Sequence, residues 1–374
     1  MSQSDTNLQL QCTQLENALD FAQYQIRNLI EDQPDFFPMY TVRGKWRHGG
    51  EYWTNWCEGF LAGILWILFQ LTGDRYWRNK AEHYSLLLES RKNDRNVHDL
   101  GFVFHSSYGR WYGLTQDPEL RETLIQAGRT LALRFQPKGQ YLCSFLGADS
   151  LFIDIMMNVG IIFWVAEKTQ DDRLWDIATC HCRTSQQYLV HSDGSTVHEA
   201  IFDPDRGVFL RESTQQGLRP NSCWSRGLSW ALYGFGTAYQ FTRDPSFLET
   251  AERCANFYLG HVAETWVPYW DFHVEAGPDS FWDSSAAAIA ASGLWNLAAL
   301  SPDREKAHQY RNASFEIVHR LTSVQFLARD HAGQEGILLH GVYHYHKKLG
   351  VDESVMWGDH FFMEALQKAL IALR

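Results

Sequence analysis

No apolar run in these 374 residues reaches transmembrane length, and the polar opening from Met1 to Leu10 has no basic stretch leading into an apolar one. The sequence therefore predicts a soluble chain that stays in the cytoplasm, or a periplasmic or secreted one if a leader has been removed. Basic residues are in short supply, with 33 Lys and Arg against 44 Asp and Glu and a net charge of −11. Such a surface cannot displace counterions from a phosphate backbone, which excludes nucleic acid and acidic membranes as partners. A small anion is still compatible, because one local Arg or Lys can hold one carboxylate. The seven cysteines are odd in number and scattered, so no disulfide framework is expected and they read as thiols of a reducing compartment. Cys180-His181-Cys182 lacks a second ligand pair and lies in a helix-like stretch, so neither a metal nor a cofactor is expected. A phosphate loop, a His-Glu-x-x-His signature and a Gly-x-Ser-x-Gly turn are also missing.

What the chain has in abundance is aromatic surface: 15 Trp, 16 Tyr and 23 Phe. Most of it belongs in a core, but the flat apolar face of Trp also suits the C–H face of a sugar ring, which points to a carbohydrate cleft. Five junctions recur in which Thr or Ser is followed two residues later by Asp and then by an amphipathic run: Thr72-Gly73-Asp74, Thr115-Gln116-Asp117, Thr169-Gln170-Asp171, Thr242-Arg243-Asp244 and Ser301-Pro302-Asp303. Each reads as a helix end, a tight turn and a capped helix start. Segments before the junctions (59–71, 153–166, 228–241, 286–300) are apolar nearly all round, whereas those after them (76–89, 248–259) are amphipathic. With a first helix near 8–30 and a last near 354–373, this predicts twelve helices alternating outer and inner. The expected fold is all-α, an (α/α)6 barrel of six hairpins, in one domain over residues 1–374. Stretches 34–55, 190–222 and 262–280 are too long for simple connections and read as functional loops.

If the tight turns close one end, all inner helices begin at the other. Those beginnings are Asn55-Trp56-Cys57-Glu58-Gly59, His98-Asp99-Leu100-Gly101, Ile153-Asp154, Trp224-Ser225-Arg226-Gly227, Asp283-Ser284-Ser285 and Trp357-Gly358-Asp359. Asp99 and Asp154 are then either N-cap residues or a functional carboxylate pair. Leu151, Phe152, Ile153, Ile155, Met156 and Met157 surround Asp154, and apolar neighbours beside a second carboxylate predict a raised pKa, as a general acid requires. Arg226, between Trp224 and Trp230, is either the partner of a buried carboxylate or a fork for a substrate carboxylate. His98, His198 and Gln216 fall on the same rim. His344, His346, Lys347 and Lys348 form a basic cluster, which is either a solvated loop or a site for a sulfate or second carboxylate. Glu58, Asp283 and Asp359 read as helix-start caps.

These blocks, in this order, resemble glycoside hydrolase family 88, the unsaturated glucuronyl hydrolases, over nearly the whole chain. The resemblance is carried by Trp56-Cys57-Glu58-Gly59-Phe60, His98-Asp99-Leu100-Gly101-Phe102, Ile153-Asp154-Ile155-Met156-Met157-Asn158, Asp193-Gly194-Ser195 with His198, Thr214-Gln215-Gln216-Gly217, Trp224-Ser225-Arg226-Gly227 with Trp230, Tyr269-Trp270-Asp271-Phe272, Asp283-Ser284-Ser285-Ala286 and Trp357-Gly358-Asp359. It implies an (α/α)6 barrel that hydrates the C4=C5 double bond of a terminal unsaturated uronic acid and so releases the next sugar. Asp154 matches the family's proton-transfer residue and Asp99 its second carboxylate. Trp56 and Trp230 match sugar platforms, with Trp224 supporting them, and His98, His198, Gln216 and Arg226 match contacts to the uronate. Phe145 stands where relatives carry a Trp near the leaving sugar. The Ser-x-x-Ser-x-Lys stretch of members favouring sulfated substrates is replaced here by His344, Lys347 and Leu349. The implied partner is an unsaturated uronate-terminated oligosaccharide, and the chain is expected to be a monomer or homodimer. Alternatives on the same barrel are an unsaturated rhamnogalacturonyl hydrolase, a sugar epimerase and a non-catalytic carbohydrate-binding protein.

Overall fold

The computed structural model describes residues 3–49, 54–262 and 265–373, so positions 50–53 and 263–264 of two expected loops, and the first two residues of the opening segment, lie outside the described residues. The outer helices are α1 (Gln3–Asp32), α3 (Arg75–Leu87), α6 (Pro118–Ala132), α9 (Asp172–Leu189), α11 (Pro245–Val262) and α13 (Arg304–Leu321). Their inner partners are α2 (Glu58–Thr72), α4 and α5 (Leu100–Phe104 and Arg110–Thr115, joined by a π-helical turn, His105–Gly109), α7 and α8 (Ile155–Asn158 and Gly160–Thr169), α10 (Ser225–Thr242), α12 (Ser284–Leu300) and α14 (Met356–Leu373). Inner helices pack in ring order, α2 on α4, α4 on α7, α7 and α8 on α10, α10 on α12, α12 on α14, and α14 back on α2. The ring is therefore a closed (α/α)6 barrel. Its inner helices are buried on nearly every side, as in α12, where every residue from Ser284 to Leu294 is buried. No helix among the described residues is long and apolar enough to cross a membrane.

The junction chemistry works as the residue types dictate. Asp74, Asp117, Asp171 and Asp303 accept hydrogen bonds from free amides of the next helix, and Asp244 accepts one from Ser246 N. Gly73, Gln116, Gln170 and Arg243 adopt the left-handed conformation that ends each preceding inner helix.

Two of the long stretches read as functional loops contain short strands. Residues 34–55 contain the hairpin β1 (Thr41–Val42) and β2 (Lys45–Trp46), and β3 (Phe135–Gln136) pairs with β4 (Tyr141–Leu142). Stretch 190–222 forms β6 (Glu199–Asp203) and β7 (Val208–Ser213), antiparallel to each other and to β5 (Ser150–Phe152). The last hairpin is β8 (Gly341–His344) with β9 (Leu349–Glu353). Alternating Glu199-Ala200-Ile201-Phe202 and Val208-Phe209-Leu210 favour a strand pair with one covered face.

Asp303 lies at the turn end of the barrel and accepts from Glu305 N at 2.9 Å and Lys306 N at 3.2 Å. Asp303→Ala is expected to cost about 1 kcal/mol of unfolding free energy in urea denaturation while kcat/KM stays constant. A loss of turnover at intact stability would contradict the separation of this end from the site.

Candidate active site

At the mouth where the inner helices begin, a small cavity, about 350 Å³ including the part open to solvent, is lined by Thr54, Trp56, His98, Asp99, Phe145, Phe152, Asp154, Gln216, Arg226 and Tyr343. Asp99 and Asp154 precede α4 and α7, yet neither side chain caps its helix. That separates them from the junction aspartates and decides against a purely capping role. Their spacing is set one turn further in. Gly101 has no room for a side chain, since a Cβ there would stand 2.5 Å from Asn158 Cα. Asn158 Oδ1 accepts from Phe102 N at 2.7 Å, and its Nδ2 donates to Asp154 O at 3.2 Å. One buried amide thus ties together the two helix starts that carry the carboxylates.

Each carboxylate has a histidine whose tautomer is dictated by backbone amides. His98 Nδ1 accepts from Phe145 N at 3.1 Å, which leaves the proton on Nε2, 3.3 Å from Asp99 Oδ1. His198 Nδ1 accepts from Gln215 N at 3.1 Å and Gln216 N at 3.2 Å, and its Nε2 faces Asp154 Oδ2 at 3.5 Å. Those two facing atoms are buried and reach no full hydrogen bond among the described residues. With Nδ1 an acceptor, His198 presents an Nε2–H to Asp154 at the limit of hydrogen bonding, and Asp154 lines the cavity. The sheet brings His198 here, because β5 leads directly into Asp154 and Ile153 N donates to His198 O at 3.0 Å.

The electrostatics differ from the sequence-based expectation. Burial pushes Asp154 upward, but the His198 contact, His98 and Arg226 outweigh it and leave its pKa below the ordinary carboxylate value. It is Asp99 that is raised, to about 8, by burial first and then by the negative charge of Asp154. Apolar flanking residues could not reveal this, because His198 and Arg226 come from other hairpins. The empty pair therefore holds one proton near neutral pH, mainly on Asp99. Burial holds His98 down at about 3, so that ring is neutral.

Arg226 is buried behind the carboxylates. It donates to Val342 O, Gln216 Oε1 and Tyr343 O, stands 3.5 Å from Asp283 Oδ2, and lies over the Trp224 ring at 4.3 Å. The reading of Arg226 as the partner of a buried carboxylate thus holds, and the side chain also lines the cavity. Trp56 lines the cavity as a platform does, backed by Trp357 at 4.7 Å. Trp230 does not: it is fully buried between Phe102 and Phe361, a layer below, where no sugar ring can lie on it. Trp224 is buried too and supports His198 and Arg226 rather than the cavity.

The basic cluster is split by the β8–β9 hairpin. His344 is buried and held at about 3 by burial first, with nearby Lys347 adding to it, so it is no cation for a sulfate. Lys347 is exposed at the turn, and neither residue lines the cavity. His346 Nε2 instead donates to Gly217 O at 2.7 Å and ties the hairpin to the Gln216 loop. Asp283 caps α12 as expected. Asp359 lies inside α14 and accepts from Ile337 N and Leu338 N, both at 2.9 Å, while Glu58 pairs with Arg91. Cys180-His181-Cys182 lies within α9, and no group of three potential ligands that could hold a metal occurs among the described residues.

Sequence reasoning missed Thr54, Phe152 and Tyr343 in the lining. It also missed two braces. Arg134 donates to Arg95 O at 2.6 Å and Cys143 O at 2.8 Å, which places Phe145 N against His98. Glu199 accepts from Ser150 Oγ at 2.6 Å and Gln215 Nε2 at 3.0 Å, which places the amides that hold His198. The sequence carried no signal for either, because the burial of Glu199 and the contacts of Arg134 depend on segments distant along the chain.

Asn158→Ala leaves the buried Phe102 N–H without an acceptor and is expected to cost about 1–3 kcal/mol in denaturant unfolding, with kcat falling more than KM changes. Asp99 keeps its proton up to about pH 8 when folded but only to about 4 when unfolded. Its contribution to stability therefore falls as the pH rises through that window. Asp99→Asn removes this dependence, so its advantage in urea midpoint over the native chain grows from acid to mildly alkaline pH. A gap that stays constant would show that Asp99 is ionised in the folded protein.

The family model for Glycosyl Hydrolase Family 88 matches residues 37–300. An unsaturated glucuronyl hydrolase of Formosa agariphila is 32% identical over 324 residues, 84% of this chain and 80% of that protein. An unsaturated chondroitin disaccharide hydrolase of Streptococcus pyogenes is 29% identical over 360 residues, covering 94% and 90%. Among solved structures, an unsaturated glucuronyl hydrolase specific for heparin superposes with a TM-score of 0.89 at 29% identity, over 95% of this chain and 96% of that one. The match spans the helix starts that carry both carboxylates and the whole of α10 and α12, and this chain belongs to glycosyl hydrolase family 88 and is a glycoside hydrolase.

Proposed function

We propose that this enzyme removes a 4,5-unsaturated uronic acid from the end of an oligosaccharide by adding water across its C4=C5 double bond. The observation that carries the reading is the carboxylate pair, each member beside a histidine Nε2–H, at one small cavity with a buried guanidinium behind it. The names of the relatives point to the same substrates.

In this mechanism the uronate carboxylate lies toward Arg226 and Gln216, with the ring on Trp56. Arrival of the anionic substrate and loss of water both favour a neutral Asp154, so the single proton of the pair passes to Asp154. Asp154 gives that proton to C4. Positive charge develops on C5 and the ring oxygen, water adds at C5 as Asp154 takes a proton back, and the hemiketal opens to release the next sugar. Asp99 holds ring hydroxyls and stores the proton between turnovers. This differs from ordinary glycosidases, whose two carboxyls act at the anomeric carbon. Phe145 flanks the leaving sugar, and Lys347 is the exposed base of the hairpin for a sulfate there, without His344.

The epimerase alternative needs a histidine base. Both rings spend Nδ1 on backbone amides and present Nε2–H to carboxylates, which leaves neither a basic lone pair for a C–H bond. We take the chain to act as a single catalytic domain. Cys57, Cys143, Cys182, Cys223 and Cys254 are buried and outside any disulfide, which fits a reducing compartment such as the cytoplasm.

The wild-type enzyme is expected to abolish the ultraviolet absorbance of unsaturated disaccharides from glycosaminoglycan, gellan or ulvan, whereas Asp154→Asn binds them without turnover. Persistent absorbance across that panel, or loss of absorbance only with rhamnogalacturonan fragments, rejects the substrate assignment. Because the pair must hold one proton, kcat/KM should decline above about pH 8, where Asp99 ionises. A profile flat to pH 10 would remove Asp99 from proton storage.

A further inference from the structure

A larger recess, about 1180 Å³ including the part open to solvent, lies on the barrel axis at the other end. Its walls come from the later turns of the inner helices, such as Trp164 of α8, Gln240 of α10 and Asn296 of α12. Arg226 and Gln240 are separated by fourteen residues of α10, roughly 20 Å along the helix. Between the two cavities stands an aromatic layer, in which Phe102 touches Trp56 at 5.5 Å above and itself borders the recess below.

Three features distinguish this recess from a packing defect. First, it contains a buried charge cluster. Glu364 accepts from Arg110 at 2.6 Å, Tyr233 at 2.7 Å, Lys368 at 3.1 Å and Ser292. Two cations thus meet one carboxylate, and burial keeps the neighbouring His105 and His360 neutral, at about 4 and about 3. Arg110 and Glu364 border the recess and Lys368 stands behind Glu364, so the cluster has two basic groups for one carboxylate, with burial lowering the pKa of Lys368. Second, polar capacity points at an opening. His105 and Ser106 make no side-chain hydrogen bond among the described residues, and neither does Gln240, which is exposed at the rim. Third, His105 and Ser106 sit on the π-helical turn of the second inner helix, a costly irregularity found mostly where a site requires it. Tyr112, Trp164 and Phe241 add aromatic faces.

Aromatic faces, an imidazole, a hydroxyl and an amide suit a polyol ring, and two basic groups beside one carboxylate suit a second carboxylate. We propose that this recess is a second, non-catalytic binding site for a small monoanionic sugar acid, reached through the turn end of the barrel. It does not depend on which double bond or substrate the catalytic mouth takes.

The test is isothermal titration calorimetry of the full chain with sodium D-glucuronate, which has no double bond to turn over, and with neutral D-glucose. Saturable binding of glucuronate is expected, with glucose at least tenfold weaker. Gln240→Trp, which plugs the rim from an exposed position, and Arg110→Met, which removes one of the two basic groups while Glu364 keeps Lys368, should each weaken glucuronate at least tenfold. Turnover should persist in both variants and confirm that they fold. Absence of saturable binding, equal binding of glucose, or unchanged binding to Gln240→Trp (which would locate the ligand at the catalytic mouth) each overturns the proposal. If Arg110→Met does not fold, Gln240→Trp decides alone.

Discussion

The contact on which the site depends is the one between the backbones at Gly101 and Asn158. Two carboxyl groups at one buried cavity would repel each other if both were ionised, and burial makes that repulsion expensive enough to hold a proton on Asp99. They stay together because the helices bearing them touch at a glycine and are joined by Asn158, whose side chain satisfies an amide on one helix and a carbonyl on the other. The apolar ring of inner helices, buried on nearly every side, supplies the stability that this repulsion consumes. Cost and compensation are thus in different layers of one barrel.

Around that pair, the protonation pattern is decided by main-chain groups. Amides of Phe145, Gln215 and Gln216 occupy the Nδ1 atoms of His98 and His198, so both rings point hydrogen at carboxylates. These amides lie in segments outside the helices, held in turn by Arg134 and by Glu199. The short strands that interrupt an otherwise helical chain therefore help fix which nitrogen of His198 carries hydrogen beside the carboxylate pair. They are the means by which a segment far along the chain is brought, in fixed register, beside a helix start.

The asymmetry of the pair follows from the same neighbours. Asp154 has His198 and Arg226 close to it, whereas Asp99 has mainly burial and the charge of Asp154. Under the proposed mechanism, the proton that rests on Asp99 moves to Asp154 when an anionic uronate enters and displaces water from the cavity. The recess at the far end is lined largely by later residues of the inner helices, among them Trp164, Gln240, Asn296 and Glu364.

Much of this was legible in the residue order. Thr-x-Asp junctions, all-round apolar segments before them and amphipathic ones after them determined six hairpins, because capping and helical periodicity are local properties. The direction of the hairpins then placed Asp99, Asp154, Trp56 and Arg226 at one mouth. Tertiary structure alone decided that Trp230 lies a layer too deep, that His344 is a buried neutral ring while Lys347 is exposed at the turn, and that Asp99 rather than Asp154 is raised. Burial depth and pKa are sums over neighbours contributed by other hairpins, and no window along the chain contains those neighbours.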